Sequence, residues 1–378
     1  MTARHPDTVN LHQAATAAAQ LATHHEPLAP VDYLSTTAAA ELVRRVGLVE
    51  CLRGLVTELE HDFARWESFD KSARLAQHTQ DGVMELMPVA NAEHFAFKYV
   101  NGHPKNPQRG IPSIMAFGAL MRADTGAPVL LSELTLTTAL RTAATSVMAA
   151  KLLARPNSRT MALIGNGSQS EFQALAFAGL LGINALRLYD VDTAATDKLV
   201  RNLRSQLPHL AITVCANAAE AVRGADIVTT VTADKTNATI ISHDMVAPGM
   251  HLNAVGGDCP GKTELDAAIL PQASVFVEFA PQSRIEGEIQ HMPADFAVTE
   301  LWQVLQGTAR GRQHADEITV FDSVGFALED YAAMRYMHAL ARQHGVLQPL
   351  ELLPQLADPK DLFSLLHTQP LAAGADHF

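Results

Sequence analysis

Short apolar runs alternate with helical stretches through the second half of the chain. Helical stretches over residues 170–181 and 193–207 separate the first three runs, and another helix is expected from 325 to about 344. The expected strands cover residues 161–164, 186–189, 211–214, 227–231, 252–255, 275–279 and 318–321. This alternation is typical of a parallel sheet with helices on both faces, so it predicts a doubly wound α/β domain.

The first half of the chain mixes strands with helices. Apolar residues recur at helical spacing over residues 42–63, which predicts one helix there, and the runs at 83–87 and 95–100 predict strands. Two further strand-like runs surround the turn-forming residues 124–128. A helix of small residues is expected over 136–154, where Pro156 ends it. We therefore expect an α+β domain, which the chain re-enters through its last helix.

Composition narrows the functional classes. The 378 residues include 48% hydrophobic and 18% charged residues and carry a net charge of −12, which favours a globular protein and opposes binding to nucleic acid. No apolar stretch approaches the roughly 20 residues that span a bilayer, and residues 1–30 lack the apolar core of a secretory signal. Cys51, Cys215 and Cys259 have no metal-site spacing, so we expect free thiols, no metal and a cytoplasmic location.

A glycine-rich turn connects the strand at 161–164 to the next helix. Gly165 and Gly167 allow a tight turn and a close approach of phosphate oxygens, and a helix N-terminus attracts negative charge. Ser170 stands where the dinucleotide-binding pattern has a third glycine. Taken alone, the turn is equally compatible with an ordinary strand–helix connection.

Asp190 strengthens the prediction of a dinucleotide site. It ends the second expected strand, where a carboxylate hydrogen-bonds the ribose hydroxyls and repels a 2′-phosphate, so NAD is favoured over NADP. The alternative is that Asp190 only caps the helix that follows. Strand, turn, helix and acid in this order predict NAD binding.

Polar residues follow three of the expected strands, at the edge where open parallel sheets bind ligands. These residues are Thr232, Asp258 and Ser323. Two glycines and a proline shape the loop around Asp258, and a carboxylate in such a partly dry position can exchange protons with an amine. The alternative is a loop aspartate that bonds its own backbone.

Three cations in the first half are candidates to bind the carboxylate of an amino acid. Lys98 and the acidic Glu85 interrupt apolar strands, Arg141 lies in the first half of a helix of small residues, and Arg74 precedes the first of these strands. Each alone is compatible with a surface charge or a structural ion pair. Together they predict a pocket for a zwitterion. His103 lies among turn-forming residues and is interpreted as a turn residue.

Four segments resemble the ornithine cyclodeaminase/μ-crystallin family, and the resemblance extends over about residues 31–364. The segments are residues 85–88, 97–104, 165–174 and 256–265. The resemblance implies a homodimer with tightly held, recycled NAD. It also implies a reaction in which L-ornithine becomes L-proline and ammonia while NAD holds a hydride from Cα between two steps. Such chemistry requires a site closed to water.

The resemblance further implies residue roles. Asp258 would be the general acid/base and Glu85 would lie near the substrate amines. The residues implied for the substrate are Arg74, Lys98, Arg141 and Val324. Those implied for NAD are Ser113, Arg141, Gly165, Gly167, Ser168, Gln169, Asp190, Thr232, Val255, Gly256, Gly257, Lys262 and Ser323.

The order of the expected elements, together with the resemblance, predicts a domain organisation. Residues 1–30 would be an N-terminal extension, expected to be poorly ordered. Residues 31–140 and 325–378 would form a discontinuous α+β substrate-binding and dimerisation domain, and 141–324 a Rossmann-type NAD-binding domain.

Three alternatives stay open on the sequence. L-Lysine, which would give pipecolate, differs from L-ornithine by one methylene, and a pocket discriminates that by only about 1–3 kcal/mol. A ketimine reductase or an amino-acid dehydrogenase would share the NAD site but change the amount of NADH. A crystallin-like binding protein without catalysis would have no need of Asp258.

Overall fold

The structure, a computed structural model, describes residues 29–233 and 239–367. Residues 32–349 form one unit, and the described residues outside it, 29–31 and 350–367, belong to another. The poorly ordered extension predicted over residues 1–30 lies almost wholly outside the described residues. In the second unit, the described chain contains a 3-10 helix at Leu362–Leu366.

The first sheet comes from the first half of the chain and is mainly antiparallel. Its strands include β1 (Val31–Leu34), β2 (Asp70–Lys71), β3 (Leu75–His78), β4 (Val83–Ala90), β5 (His94–Gly102), β6 (Ala116–Arg122) and β7 (Pro128–Glu133). They are ordered β1-β7-β6-β5-β4-β2, and β3 also pairs with β4. The strands expected at 83–87, at 95–100 and on both sides of 124–128 are confirmed.

The prediction of a single helix over residues 42–63 is wrong. The chain forms α1 (Thr36–Val46) and α2 (Leu48–Ala64), and Gly47 between them has a φ of 89°. This left-handed conformation favours glycine and cannot continue a helix, so the apolar spacing spans two helices. The expected helix of small residues is confirmed as α3 (Thr135–Leu153), which is buried along most of its length.

The second sheet is parallel throughout. Its strands are β8 (Thr160–Ile164), β9 (Ala185–Tyr189), β10 (Ala211–Val214), β11 (Ile227–Thr230), β12 (His251–Ala254), β13 (Ser274–Val277), β14 (Thr299–Glu300) and β15 (Thr319–Asp322). They are ordered β10-β9-β8-β11-β12-β15-β13-β14. The strand order reverses between β8 and β11, and ligands bind at such switch points. The predicted α/β class with a doubly wound parallel sheet is confirmed.

The remaining elements connect and flank these strands. They are α4 (Ser170–Leu181), α5 (Thr193–Gln206), α6 (Ala218–Val222), α7 (Ala280–Glu286), α8 (Leu301–Leu305), α9 (Ala327–His344) and β16 (Gln348–Leu350). Helix α9 leaves β15 of the second sheet and packs against α2, β4 and β5. The domain boundaries given above stay a prediction. Within the described residues, no helix has both the length and the apolar character that crossing a bilayer requires.

Candidate active site

The glycine turn lies at the carboxyl end of β8, and its geometry fits a dinucleotide. Gly165 has a φ of 92°, and a Cβ there would lie 2.8 Å from the main-chain carbonyl of Val231, so a side chain is excluded. Beside Gly167 there is open space, with nothing within 4 Å of an added Cβ, which leaves room for a phosphate. In the described part of the chain, the buried Oε1 of Gln169 has no hydrogen-bond partner. Exposed Ser168 completes the turn before α4.

Asp190 is bonded to this turn. Its Oδ2 accepts a hydrogen bond from the Asn166 main-chain N at 2.5 Å, and its Oδ1 accepts one from Asp192 N at 2.8 Å. The residue that caps α5 is Asp192, which accepts from Ala194 N and Ala195 N. The capping alternative for Asp190 is therefore wrong. Its position at the end of β9, beside the glycine turn, is the one that ribose recognition requires.

Buried carboxylates join the loops that follow β11 and β12. Glu264 Oε1 accepts hydrogen bonds from Thr232 N and Thr232 Oγ1, and its Oε2 accepts from Gly256 N at 2.9 Å. Glu288 in turn accepts from the main-chain N of Glu264 and Leu265. Sequence reasoning missed Glu264 and Glu288 as supports of the site. The sequence held little signal for these two residues. An acid is expected to be buried only where a cation pairs with it, whereas both of these acids accept hydrogen bonds from main-chain N–H groups.

The loop after β15 is held in the same way. Glu278 is buried and accepts hydrogen bonds from Ser323 Oγ at 2.7 Å and from the main-chain N of Val324 and Gly325. Burial raises the pKa of the Glu278 carboxyl. The predicted residues Thr232, Gly256 and Ser323 thus lie at one edge of the sheet.

Asp258 and Lys262 form an ion pair at this edge. Lys262 Nζ lies 3.3 Å from Asp258 Oδ1 and donates a hydrogen bond to the Thr232 carbonyl at 3.0 Å. Burial disfavours the charge of Lys262, but Asp258 and Glu264 outweigh it and raise the Lys262 pKa. The Asp258 side chain is 47% exposed, so one face of its carboxylate is open to a ligand.

Arg74 lies at the centre of a second cluster, between two acids. Its Nη1 is 3.1 Å from Glu85 Oε2 and its Nε is 3.0 Å from Glu286 Oε2. Its Nη2 donates to the carbonyl oxygens of Val324 and Gly325. Burial raises the pKa of Glu286 to about 7, against the effect of Arg74 and with that of Glu85. Sequence reasoning missed Glu286, which ends a short helix and belongs to no recognised motif.

Lys98 and Arg141 form a third cluster with two acids of α9. Lys98 Nζ lies 2.7 Å from Asp330 Oδ2, while Arg141 contacts Asp330 through Nε and Glu329 through Nη1. Burial and Arg141 lower the pKa of Lys98 to about 8. Burial raises the pKa of Glu329 to about 8. Glu329 and Asp330 were also missed, although two adjacent acids in a mostly apolar helix were a usable signal.

Most predicted residues lie in or beside these clusters, and Ser113 is the exception. Ser113 lies between β5 and β6, where its carbonyl accepts a hydrogen bond from His103 N at 2.9 Å. In the described ranges it shares no hydrogen bond or ion pair with the Asp258–Lys262 pair, with the cluster around Arg74 or with the cluster of Lys98 and Arg141. His103 lies in a turn, as interpreted from the sequence. Val255 and Gly257 continue the loop after β12, and Val324 is buried beside Arg74.

A glycine turn at the switch point of a parallel sheet, next to buried ionic clusters, defines a dinucleotide-binding enzyme for a small charged substrate. Residues 37–345 match the family model described as "Ornithine cyclodeaminase/mu-crystallin family". The chain belongs to this family, and the predicted resemblance is confirmed.

Individual relatives agree with this placement. The chain is 53% identical over 336 residues to the ornithine cyclodeaminase of Brucella suis biovar 1 (strain 1330), which covers 89% of this chain and 93% of that one. A solved lysine cyclodeaminase, described for its recognition of L-lysine, L-ornithine and L-2,4-diamino butyric acid, has 32% identity and a TM-score of 0.83 over 89% of this chain and 99% of its own. An archaeal alanine dehydrogenase dimer with bound NAD has 29% identity and a TM-score of 0.78, over 85% and 99%.

Proposed function

We propose that this chain converts L-ornithine to L-proline and ammonia, with NAD as a recycled cofactor. The observation that carries the proposal is Arg74 between Glu85 and Glu286. A diamino acid brings a second ammonium into the site, and two buried carboxylates provide partners for it. A monoamino acid has no group that requires them. The 53% identity to an ornithine cyclodeaminase supports the same conclusion.

The remaining clusters supply what the reaction needs from the protein. Lys98, Arg141 and Arg74 bind the α-carboxylate, and Val324 lines the same pocket. Asp258 takes a proton from the substrate amine and returns one to the departing nitrogen. Burial of Lys98, Arg141 and Arg74 limits the access of water, which would hydrolyse an imine of the substrate.

NAD, when bound, supplies the acceptor and later the donor of the substrate hydride. The glycine turn would hold its phosphates, and Asp190 its adenosine ribose. Thr232 and Ser323 would contact it at the carboxyl ends of β11 and β15, as would Lys262 beside Asp258. An alanine dehydrogenase of the same fold was solved with NAD bound, which supports this choice of cofactor.

The test is to incubate purified protein and NAD with L-ornithine, L-lysine or L-norvaline. We expect L-ornithine to give L-proline by mass and an equal amount of ammonia, without net NADH. Net NADH formation would point to a dehydrogenase instead. If pipecolate forms from L-lysine faster than L-proline forms from L-ornithine, the lysine reaction is favoured. If no substrate gives a product, a binding protein without catalysis is favoured.

We also propose that the chain forms a homodimer through the outer face of the first sheet. Large apolar side chains are exposed on that face, namely Leu75, Leu86, Phe95 and Phe117. An apolar face of this kind favours a partner, and the alanine dehydrogenase neighbour is a dimer. Light scattering should show a dimer that Phe117→Glu converts to monomer. Val214→Glu, at an exposed apolar position of β10, should leave the dimer intact.

A cytoplasmic location is proposed as well. The side chains of Cys51, Cys215 and Cys259 are buried thiols, which suits a reducing compartment.

A further inference from the structure

One carboxylate contacts two cations that come from different elements. Asp330 Oδ2 lies 2.7 Å from Lys98 Nζ of β5, and Asp330 Oδ1 accepts a hydrogen bond from Arg141 Nε of α3 at 3.0 Å. All three side chains are at least nine-tenths buried. Water therefore cannot orient them, and the shared carboxylate fixes the position of one cation relative to the other.

We propose that Asp330 is a positioning residue that holds Lys98 and Arg141 together as one carboxylate-binding corner. The inference rests on the proposed function, because the α-carboxylate of the substrate is the ligand of that corner. Arg141 uses Nε for Asp330 and Nη1 for Glu329. In residues 29–233 and 239–367, no hydrogen bond uses its Nη2, so Nη2 and the Lys98 protons that Asp330 does not engage are the donors left for an anion.

Charge gives Asp330 a second effect on the corner. The groups that face Lys98 are Asp330 and Glu329 from α9, Arg141 from α3, and Arg74 from the segment before β3. Burial and Arg141 lower the pKa of Lys98 to about 8, while Asp330 raises it. Without Asp330 this pKa falls further, and Lys98 loses its proton at a lower pH. The loss of substrate affinity that follows deprotonation of Lys98 should then begin at a lower pH than in the wild type.

The experiment compares the pH dependence of the KM for L-ornithine in the wild type and in Asp330→Asn, both as NAD holoenzymes. In the wild type, KM should rise as the pH passes about 8. In D330N the rise should begin at least about one pH unit lower, and KM at neutral pH should be about tenfold higher. The substrate amines titrate identically with both proteins, so the difference belongs to the protein.

The matched control is Asp62→Asn. Asp62 of α2 is equally buried, and it pairs with Arg65, which follows α2, and with Arg335 of α9. D62N should lose stability and keep the wild-type pH profile of KM. If D330N does not bind NAD, and so has not folded, Lys98→Arg carries the test. Arginine stays charged over this range, so the rise of KM near pH 8 should disappear and only the rise that the substrate amines cause should remain.

The outcomes separate the two claims. No turnover of L-ornithine by the wild type overturns the proposed function before any variant is made. Turnover with coincident KM profiles for wild type and D330N overturns the role of Asp330. A K98R protein whose KM still rises near pH 8 overturns it as well. An earlier rise in D330N, together with an unchanged NAD affinity, supports the positioning role.

Discussion

Glu286 Oε2 lies 3.0 Å from Arg74 Nε, and the same guanidinium contacts Glu85 on its other side. Two acids therefore share one arginine inside a buried site. If Arg74 binds the substrate carboxylate as proposed, one of these acids becomes available to a second cation, which would give the site a means to select diamino acids.

Glu286→Gln tests that selection. The amide removes a negative charge that a distal ammonium would meet, so KM for L-ornithine should rise at least about tenfold, in line with the loss of a charged hydrogen bond. L-Norvaline has the same chain without the distal amine, and its Ki should change less than about threefold. Glu317→Gln, a buried acid before β15, serves as the control for folding. Equal losses for both ligands would mean that Glu286 only orients Arg74.

Asp258→Asn tests the proton transfer. The amide keeps the size of the side chain but cannot accept the proton, so kcat should fall by roughly 10²–10⁴-fold. NAD should still bind, because Lys262, the predicted NAD contact that pairs with Asp258, has its pKa raised by Glu264 as well. Ammonia release measures kcat, and calorimetric titration measures NAD affinity. Ammonia release at the wild-type rate would remove Asp258 from the mechanism.

Gly165→Ala tests the phosphate turn. Gly165 and Gly126 both have left-handed φ values, of 92° and 73°, and alanine costs about 1–2 kcal/mol at either position for that reason. Only at Gly165 would the added Cβ also meet the main chain of Val231. G165A should therefore lose more stability than G126A in urea unfolding and should bind NAD more weakly. Equal losses in stability and unchanged NAD affinity would contradict the role of the turn.

The pH dependence of stability tests the buried acids. Burial raises the pKa of Asp322 from 3.8 to about 7 although Glu288 N and Ile289 N donate to it. The folded protein thus keeps a proton that the unfolded chain releases, so this contribution to the free energy of unfolding is present at acid pH and is lost as pH rises through about 7. The free energy of unfolding, measured in urea, should fall less for Asp322→Asn than for the wild type as the pH rises from 3.8 to about 7.

Asp226→Asn provides the opposite case. Burial of Asp226 is outweighed by hydrogen bonds from Arg159 N and Thr160 N and by Arg155, so its pKa is lowered. Its contribution to stability is lost as pH falls, and D226N should be least different from the wild type in acid. Parallel stability curves for the wild type and both variants would contradict these assignments.

The strands and most helices were predictable because their periodicity is local. Along β4 the side chains alternate between buried and partly exposed, and the apolar run there indicated a strand. The break at Gly47 was not predictable from spacing, because α1 and α2 both present apolar residues to the core. A glycine in a helical pattern signals such a break only when its φ is known.

The site was predictable where a motif carries it and hidden where distant residues meet. The glycine turn and Asp190 lie within one βαβ unit, so their relation follows from sequence order. Arg141 and Asp330 are 189 residues apart, and no spacing rule connects them. Glu286 and Glu264 escaped notice for the same reason. Acids that hold a site in place leave little trace in a single sequence.

The segment 323–330 runs from a loop held by Glu278 to the carboxylate that joins Lys98 and Arg141. It begins at Ser323, on the cofactor side, and ends at Asp330 in the first turn of α9. A ligand that tightens one end of so short a tether restrains the other. If NAD binds beside Ser323 and the substrate binds at the corner that Asp330 holds, binding of either ligand is expected to raise the affinity for the other by the same factor.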